Sequence, residues 1–104
     1  MVRDTLYFGR NKPAGGIVGD TEWHRFLTEV ITPRFPAGLS IVEATGQWSG
    51  PGGNIEQENS KIVTIFHSDD TNANQEIMAI SSEYKRRFNQ EAVLREQQTA
   101  CVSF

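Results

Sequence analysis

Strong metal ligands are scarce in these 104 residues. Cys101 is the single cysteine, and His24 and His67 are the two histidines. One cysteine allows no intrachain disulfide. No two of the three ligands have a zinc-site spacing, so no metal site is expected. No apolar run approaches the roughly 20 residues of a membrane span. Met1-Val2-Arg3-Asp4 offers no apolar segment for a signal peptide. The chain as it stands therefore reads as cytoplasmic, and as exported if a leader precedes it. Basic residues are also few: 10 Lys and Arg against 13 Asp and Glu, a net charge of −3. That balance disfavours general nucleic-acid binding, which needs clustered cations to displace counterions. Gly15-Gly16 lacks the Lys-Ser/Thr that completes a phosphate loop. No nucleophile elbow or dinucleotide fingerprint occurs, and no cofactor is expected.

Two helix-period stretches stand out. Trp23, Phe26, Leu27, Val30 and Ile31 form one apolar stripe, and Ala73, Ile77, Ile80, Tyr84 and Phe88 form another. The spacing predicts one helix over Thr21–Ile31, with Asp20 as N-cap and Pro33 ending it. A second is predicted over Asn72–Phe88, with Asn72 and Gln75 as a capping box. Strands are expected at Leu6–Phe8, Leu39–Trp48, Lys61–Phe66 and Val93–Arg95, with Ala100–Phe104 continuing the last or forming an edge strand. Gly50-Pro51-Gly52-Gly53 makes a turn between the middle two strands.

The order β-α-β-β-α-β predicts a single α+β domain over 1–104. It is a ferredoxin-like sandwich, a four-stranded antiparallel sheet with both helices on one face. The third strand then conflicts with a solitary molecule. Ile62 and Phe66 point one way, Val63 and Ile65 the other, and the helices cover one face only. Large uncovered apolar patches are uncommon on monomers. A homodimer through the open sheet face is expected.

Glu58, Ser60 and Lys61 precede the third strand, and Trp48 lies across the hairpin from them. Tyr7 and Arg95 can project onto the sheet nearby. An aromatic ring with a few charges on a concave sheet suits a small-molecule pocket, or a set of surface ion pairs around a packed tryptophan. His67, beside Asp69 and Asp70, reads as a general base or as a loop histidine beside capping carboxylates. Lys85-Arg86-Arg87 reads as an anion patch or as cations complementing the end of the helix dipole. Cys101 is expected as a small buried strand residue.

Tyr7-Phe8-Gly9, Trp23 with Phe26, and Thr32-Pro33-Arg34-Phe35-Pro36-Ala37-Gly38-Leu39 together resemble the bacterial family labelled domain of unknown function 3574. Gly46-Gln47-Trp48, Glu58-Asn59-Ser60-Lys61, Tyr84-Lys85-Arg86-Arg87-Phe88 and Cys101-Val102-Ser103-Phe104 extend the resemblance to Phe104. Its members often carry an export or lipoprotein leader. The resemblance implies no activity, and its motifs overlap Tyr7, Arg34, Trp48, Glu58, Lys61, Tyr84 and Arg87. Two functions follow as expectations. The first is a non-enzymatic module binding a small ligand or peptide. The second is a cofactor-free monooxygenase or isomerase of the dimeric α+β barrel kind, with Glu58 or His67 as base and Tyr7 or Lys61 steadying negative charge.

Overall fold

Alternation along the first strand decides the fold. In the computed structural model, which describes every residue from Met1 to Phe104, β1 spans Val2–Gly9. It starts four residues before the expected Leu6. Val2, Asp4, Leu6 and Phe8 form one face and are all buried. A carboxylate in that series hid the strand's beginning. The other strands are β2 (Ser40–Ser49), β3 (Ile55–His67) and β4 (Leu94–Thr99). All pairings are antiparallel, in the order β2-β3-β1-β4. This is the expected ferredoxin-like α+β sandwich.

The first helix, α1, starts at Asp20 with Gly19 as its N-cap, in place of the expected Asp20. Glu22 accepts a bond from the Gly19 amide at 3.1 Å. From Leu27 to Ile31 the helix widens into a π-helical turn, closed by Thr32 N–H donating to the Leu27 carbonyl at 2.9 Å. The second helix, α2, spans Thr71–Phe88. Its cap is Asp70, whose carboxylate accepts from the Ala73 amide at 2.7 Å, and not the expected Asn72 box. Asn89 in the left-handed region ends it.

Both apolar stripes fall on one sheet face. Leu6, Phe8, Val63 and Ile65 meet Phe26, Ile31, Ile77, Ile80 and Tyr84, all fully buried. Tyr84 lies at the centre of an aromatic cluster, with ring centroids 4.8 Å from Phe8, 5.1 Å from Phe26 and 5.0 Å from Phe88. Each such buried side chain contributes about 1.5–3 kcal/mol.

The opposite face is bare. One register row crosses all four strands there: Leu94, Tyr7, Ile62 and Val42. Leu94 is 65% exposed and Val42 60%. The β2–β3 hairpin also outruns the sheet, because β1 ends at Gly9 opposite Ser60. Beyond that point the two strands form an arm in which Thr45 to Gln57 are exposed, apart from half-buried Gly50. The molecule measures 45 × 26 × 23 Å.

Ala100–Phe104 forms no strand, a correction to the expected edge. Its first residue donates to the Met1 carbonyl at 2.8 Å, and the rest runs on without ladder bonds. Cys101 is accordingly exposed, not a buried strand residue.

Candidate functional site

The arm joins the sheet at Gly9, and the missing side chain there shapes the site. A Cβ on Gly9 would lie 2.7 Å from the Glu58 carboxylate. Glycine lets that carboxylate settle over the end of β1, where it accepts a bond from the Asn11 amide at 2.9 Å. The Asn11 side chain donates to the Gln57 carbonyl at 3.3 Å, and Gln90 donates to the Asn11 carbonyl at 2.9 Å. From below, the Tyr84 hydroxyl donates to the Gly9 carbonyl at 2.7 Å. Burial, reinforced by the nearby Glu58 charge, raises the Tyr84 hydroxyl pKa above its ordinary value. The tyrosine therefore stays a neutral donor.

Above this junction lies a cleft of about 320 Å³. Trp48, Glu58, Asn11, Lys12, Gln90 and Glu91 line it, with Pro13 and Ala92. Trp48 is 53% exposed. The Lys12 ammonium bonds Glu22 at 3.0 Å, so its charge is largely neutralised. That pair and the Gly19 amide hold the Glu22 carboxyl below its ordinary value, the Lys12 bond contributing most. Glu58 and Glu91 leave the cleft with a negative balance.

The other sequence-predicted residues disperse. Tyr7 stands in the middle of the open face. Lys61 is buried on the helix side, bonded to the Glu43 carboxylate. Tyr84 touches the site only through the Gly9 carbonyl. Arg34 donates to the Val30 carbonyl at 2.9 Å, serving the end of the first helix, and pairs with Glu76 at 3.1 Å. Arg87 pairs with Glu83 and Glu29.

His67 and Arg95 belong to a second cluster, around a residue that sequence reasoning missed. Asp4 is fully buried beneath the helices. It accepts two bonds from the Arg95 guanidinium, at 2.7 and 3.2 Å, and one from Gln97 at 3.3 Å. His67 Nε2 lies 2.5 Å from it, while Nδ1 faces the Ser68 carbonyl at 2.7 Å. Burial alone would raise the Asp4 carboxyl. The bonds from Arg95, His67 and Gln97 outweigh burial and hold it below the ordinary range. His67 is thus a buried residue ending β3, not a loop residue, and both its ring nitrogens face protein oxygens. The one signal for this cluster was an acidic residue at an inward position of an otherwise apolar strand. Asn11 and Gln90 gave no signal, because a coil bridges them. No three His, Cys, Asp or Glu side chains gather to hold a metal ion, and no helix is long and apolar enough to cross a membrane.

The family model for DUF3574, protein of unknown function, matches residues 3–104. The chain belongs to the DUF3574 family. The match includes the Gly9–Glu58 junction, the Asp4 cluster and the irregular tail. No curated protein sequence matches this DUF3574 chain. Among solved structures it is similar to a phage SAM lyase in complex with S-methyl-5'-thioadenosine, with a TM-score of 0.71 and 19% identity. That likeness covers 93% of this chain and 79% of the lyase. The phage SAM lyase in its apo state gives 0.65 and 19%, over 93% and 78% of the two chains. At that identity the likeness shows a shared fold.

Proposed function

We propose that this DUF3574 protein binds a small organic ligand in the cleft between Trp48 and Glu58. One observation carries the reading: a half-exposed indole and a carboxylate fixed by a backbone amide line the same 320 Å³ cleft. Small-molecule sites combine an apolar wall with a few placed polar groups in this way. The indole offers a flat face for a ring and an electron-rich surface for a cation. Glu58 and Glu91 favour a positive centre. A cationic ligand carrying a flat ring fits both features. S-adenosylmethionine, a sulfonium bearing an adenine, is such a molecule, and the phage lyase of the same fold acts on it.

Tryptophan fluorescence tests the reading. Trp23 is buried and Trp48 is exposed, so quenching by a bound ring reports chiefly on Trp48. S-adenosylmethionine is expected to quench at lower concentration than neutral S-methyl-5'-thioadenosine, and to raise the melting temperature by mass action. A flat titration with both, and with a wider set of cationic metabolites, would remove the reading.

A second reading makes the protein a cofactor-free enzyme, and the lyase activity of its structural neighbour favours it. Glu58 is then the base, since it is the carboxylate held within the cleft. The assay is chromatographic detection of S-methyl-5'-thioadenosine released from S-adenosylmethionine over time, with Glu58→Gln as control. Quenching without product supports binding alone. Product that survives Glu58→Gln would exclude Glu58 as the base.

A further inference from the structure

We infer that the open sheet face and the projecting arm form a docking surface for another copy of this chain. The surface goes beyond the ligand cleft and rests on separate observations.

The first is area. Folded monomers of 11.7 kDa expose about 5,900 Å² by the size scaling of globular proteins. This chain exposes 6663 Å². The excess, about 800 Å², equals what one partner buries in a standard-size interface.

The second is the projecting arm. Ile55–Asn59 of β3 ladder with β2 alone and run about 16 Å past the end of β1 at roughly 3.3 Å per residue, held at their base by the Arg10 amide on the Asn59 carbonyl and by Asn11. A bare two-stranded hairpin is marginally stable in water. On the side continuous with the open face this one exposes Trp48, at 53%, while Ile55, at 62%, stands on its opposite side.

The third is the pattern of the face. Its centre is the uncharged row Leu94, Tyr7, Ile62 and Val42, and its charged residues, Arg3, Glu56, Glu58 and Glu96, stand around that row. An apolar centre within a polar rim is the anatomy of a protein–protein interface. At the end away from the arm, Phe66, Leu39, Val102 and Phe104 line an apolar cleft of about 360 Å³.

The occupant is another copy because the surface supplies both halves of the contact: a projecting arm that carries the exposed Trp48 ring on its open-face side, and an apolar face ending in a cleft. A two-fold arrangement satisfies both at once, each arm lying along the other copy's open face. Trp48 shares that face by register, so the docked copy also closes the outer side of the ligand cleft.

Light scattering after size exclusion, at roughly 10–100 μM chain, tests this. The wild type is expected at a multiple of 11.7 kDa, twice it for the two-fold form. Val42→Glu with Leu94→Glu is expected to return it to one copy, with an unchanged circular dichroism spectrum. Both positions are exposed, so the single copy should still fold. Met78→Glu, on the exposed side of α2, is expected to leave the mass unchanged. Amide hydrogen exchange supplies a second readout, with the arm protected in the wild type and fast in the double variant. A wild type at 11.7 kDa throughout overturns the inference. So does an assembly that survives the double glutamate, or an arm that exchanges equally fast in both proteins. Ligand titration of the double variant keeps this separate from the cleft, because a single copy still presents Trp48 and Glu58.

Discussion

One strand runs through two unlike halves of this molecule. In its second half, β3 places Val63 and Ile65 at full burial against both helices. In its first half, Ile55-Glu56-Gln57 stands in solvent, laddered with β2 alone. The sheet's two faces differ in the same way. One is sealed by an aromatic cluster, and the other carries an apolar row with nothing above it. Stability is concentrated under the helices, while the cleft and the open surface lie where burial is least. Substitutions in the first region should therefore act on folding, and those in the second on recognition.

The largest effect is expected at Asp4. Asp4→Ala leaves the Arg95 guanidinium and His67 Nε2 without their acceptor inside the protein. Breaking a buried charged cluster of this kind costs about 3–5 kcal/mol. Urea denaturation measures it, and Asp4→Asn, which keeps the shape, should cost less. Acid titration sharpens the contrast. The folded-state pKa of Asp4 is lowered, so its contribution is fully present above the unfolded value near 3.8. It is lost as pH falls through the folded value. The wild type should lose stability below about pH 4, and the gap between wild type and Asp4→Asn should narrow there. A gap that widened in acid would show that Asp4 is not held as a carboxylate.

Tyr84→Phe comes next. It keeps the ring in the aromatic cluster and removes the donor to the Gly9 carbonyl. The expected loss is about 1 kcal/mol, the net value of one hydrogen bond. Near the boundary between the halves, Gly9→Ala tests the junction. The new methyl displaces the flexible end of Glu58 and removes its bond from the Asn11 amide, again at about 1 kcal/mol. In a Glu58→Ala background the same change should cost almost nothing, since the group it strikes has gone. Additive losses in that cycle would mean that Glu58 does not lie over Gly9.

The sealed half was legible in the sequence because periodicity reports burial. Trp23, Phe26, Val30 and Ile31 at helical spacing gave the first helix to within a residue, and Ala73 to Phe88 gave the second. The alternation of Ile62 to Phe66 announced two apolar faces before any fold was in hand. The failures have separate physical causes. β1 lost its first four residues because Asp4 broke the apolar series, and its partners Arg95 and His67 lie more than 60 residues away in sequence. β3 lost its beginning because Glu56 to Asn59 are polar and laddered on one edge only, so burial imposes no pattern there. The tail from Ala100 reads as a strand by composition yet finds no ladder. At the cleft, Trp48 and Glu58 were visible as an aromatic and a charge across a hairpin. Asn11 and Gln90 reach them through coil, whose geometry no periodicity encodes.

The smallest effect on folding, and the most informative for function, is expected at Trp48. Its ring is half-exposed on the arm and contributes nothing to the core cluster. Trp48→Ala should therefore change the stability of the single copy by no more than about 0.5 kcal/mol, as at other exposed positions. Measured in the Val42→Glu and Leu94→Glu background, this value is free of any contribution from association. Binding of a cationic ring ligand should weaken more, by roughly 0.5–2 kcal/mol for loss of the cation–π face, a few-fold to about 30-fold in Kd. Calorimetry reads that change without relying on the fluorophore that has been removed. Trp48→Phe should recover part of the affinity, because a phenyl face is a weaker version of the same surface. If Trp48→Ala instead unfolded the single copy, the arm would belong to the stable half, and the division between the two regions would fail.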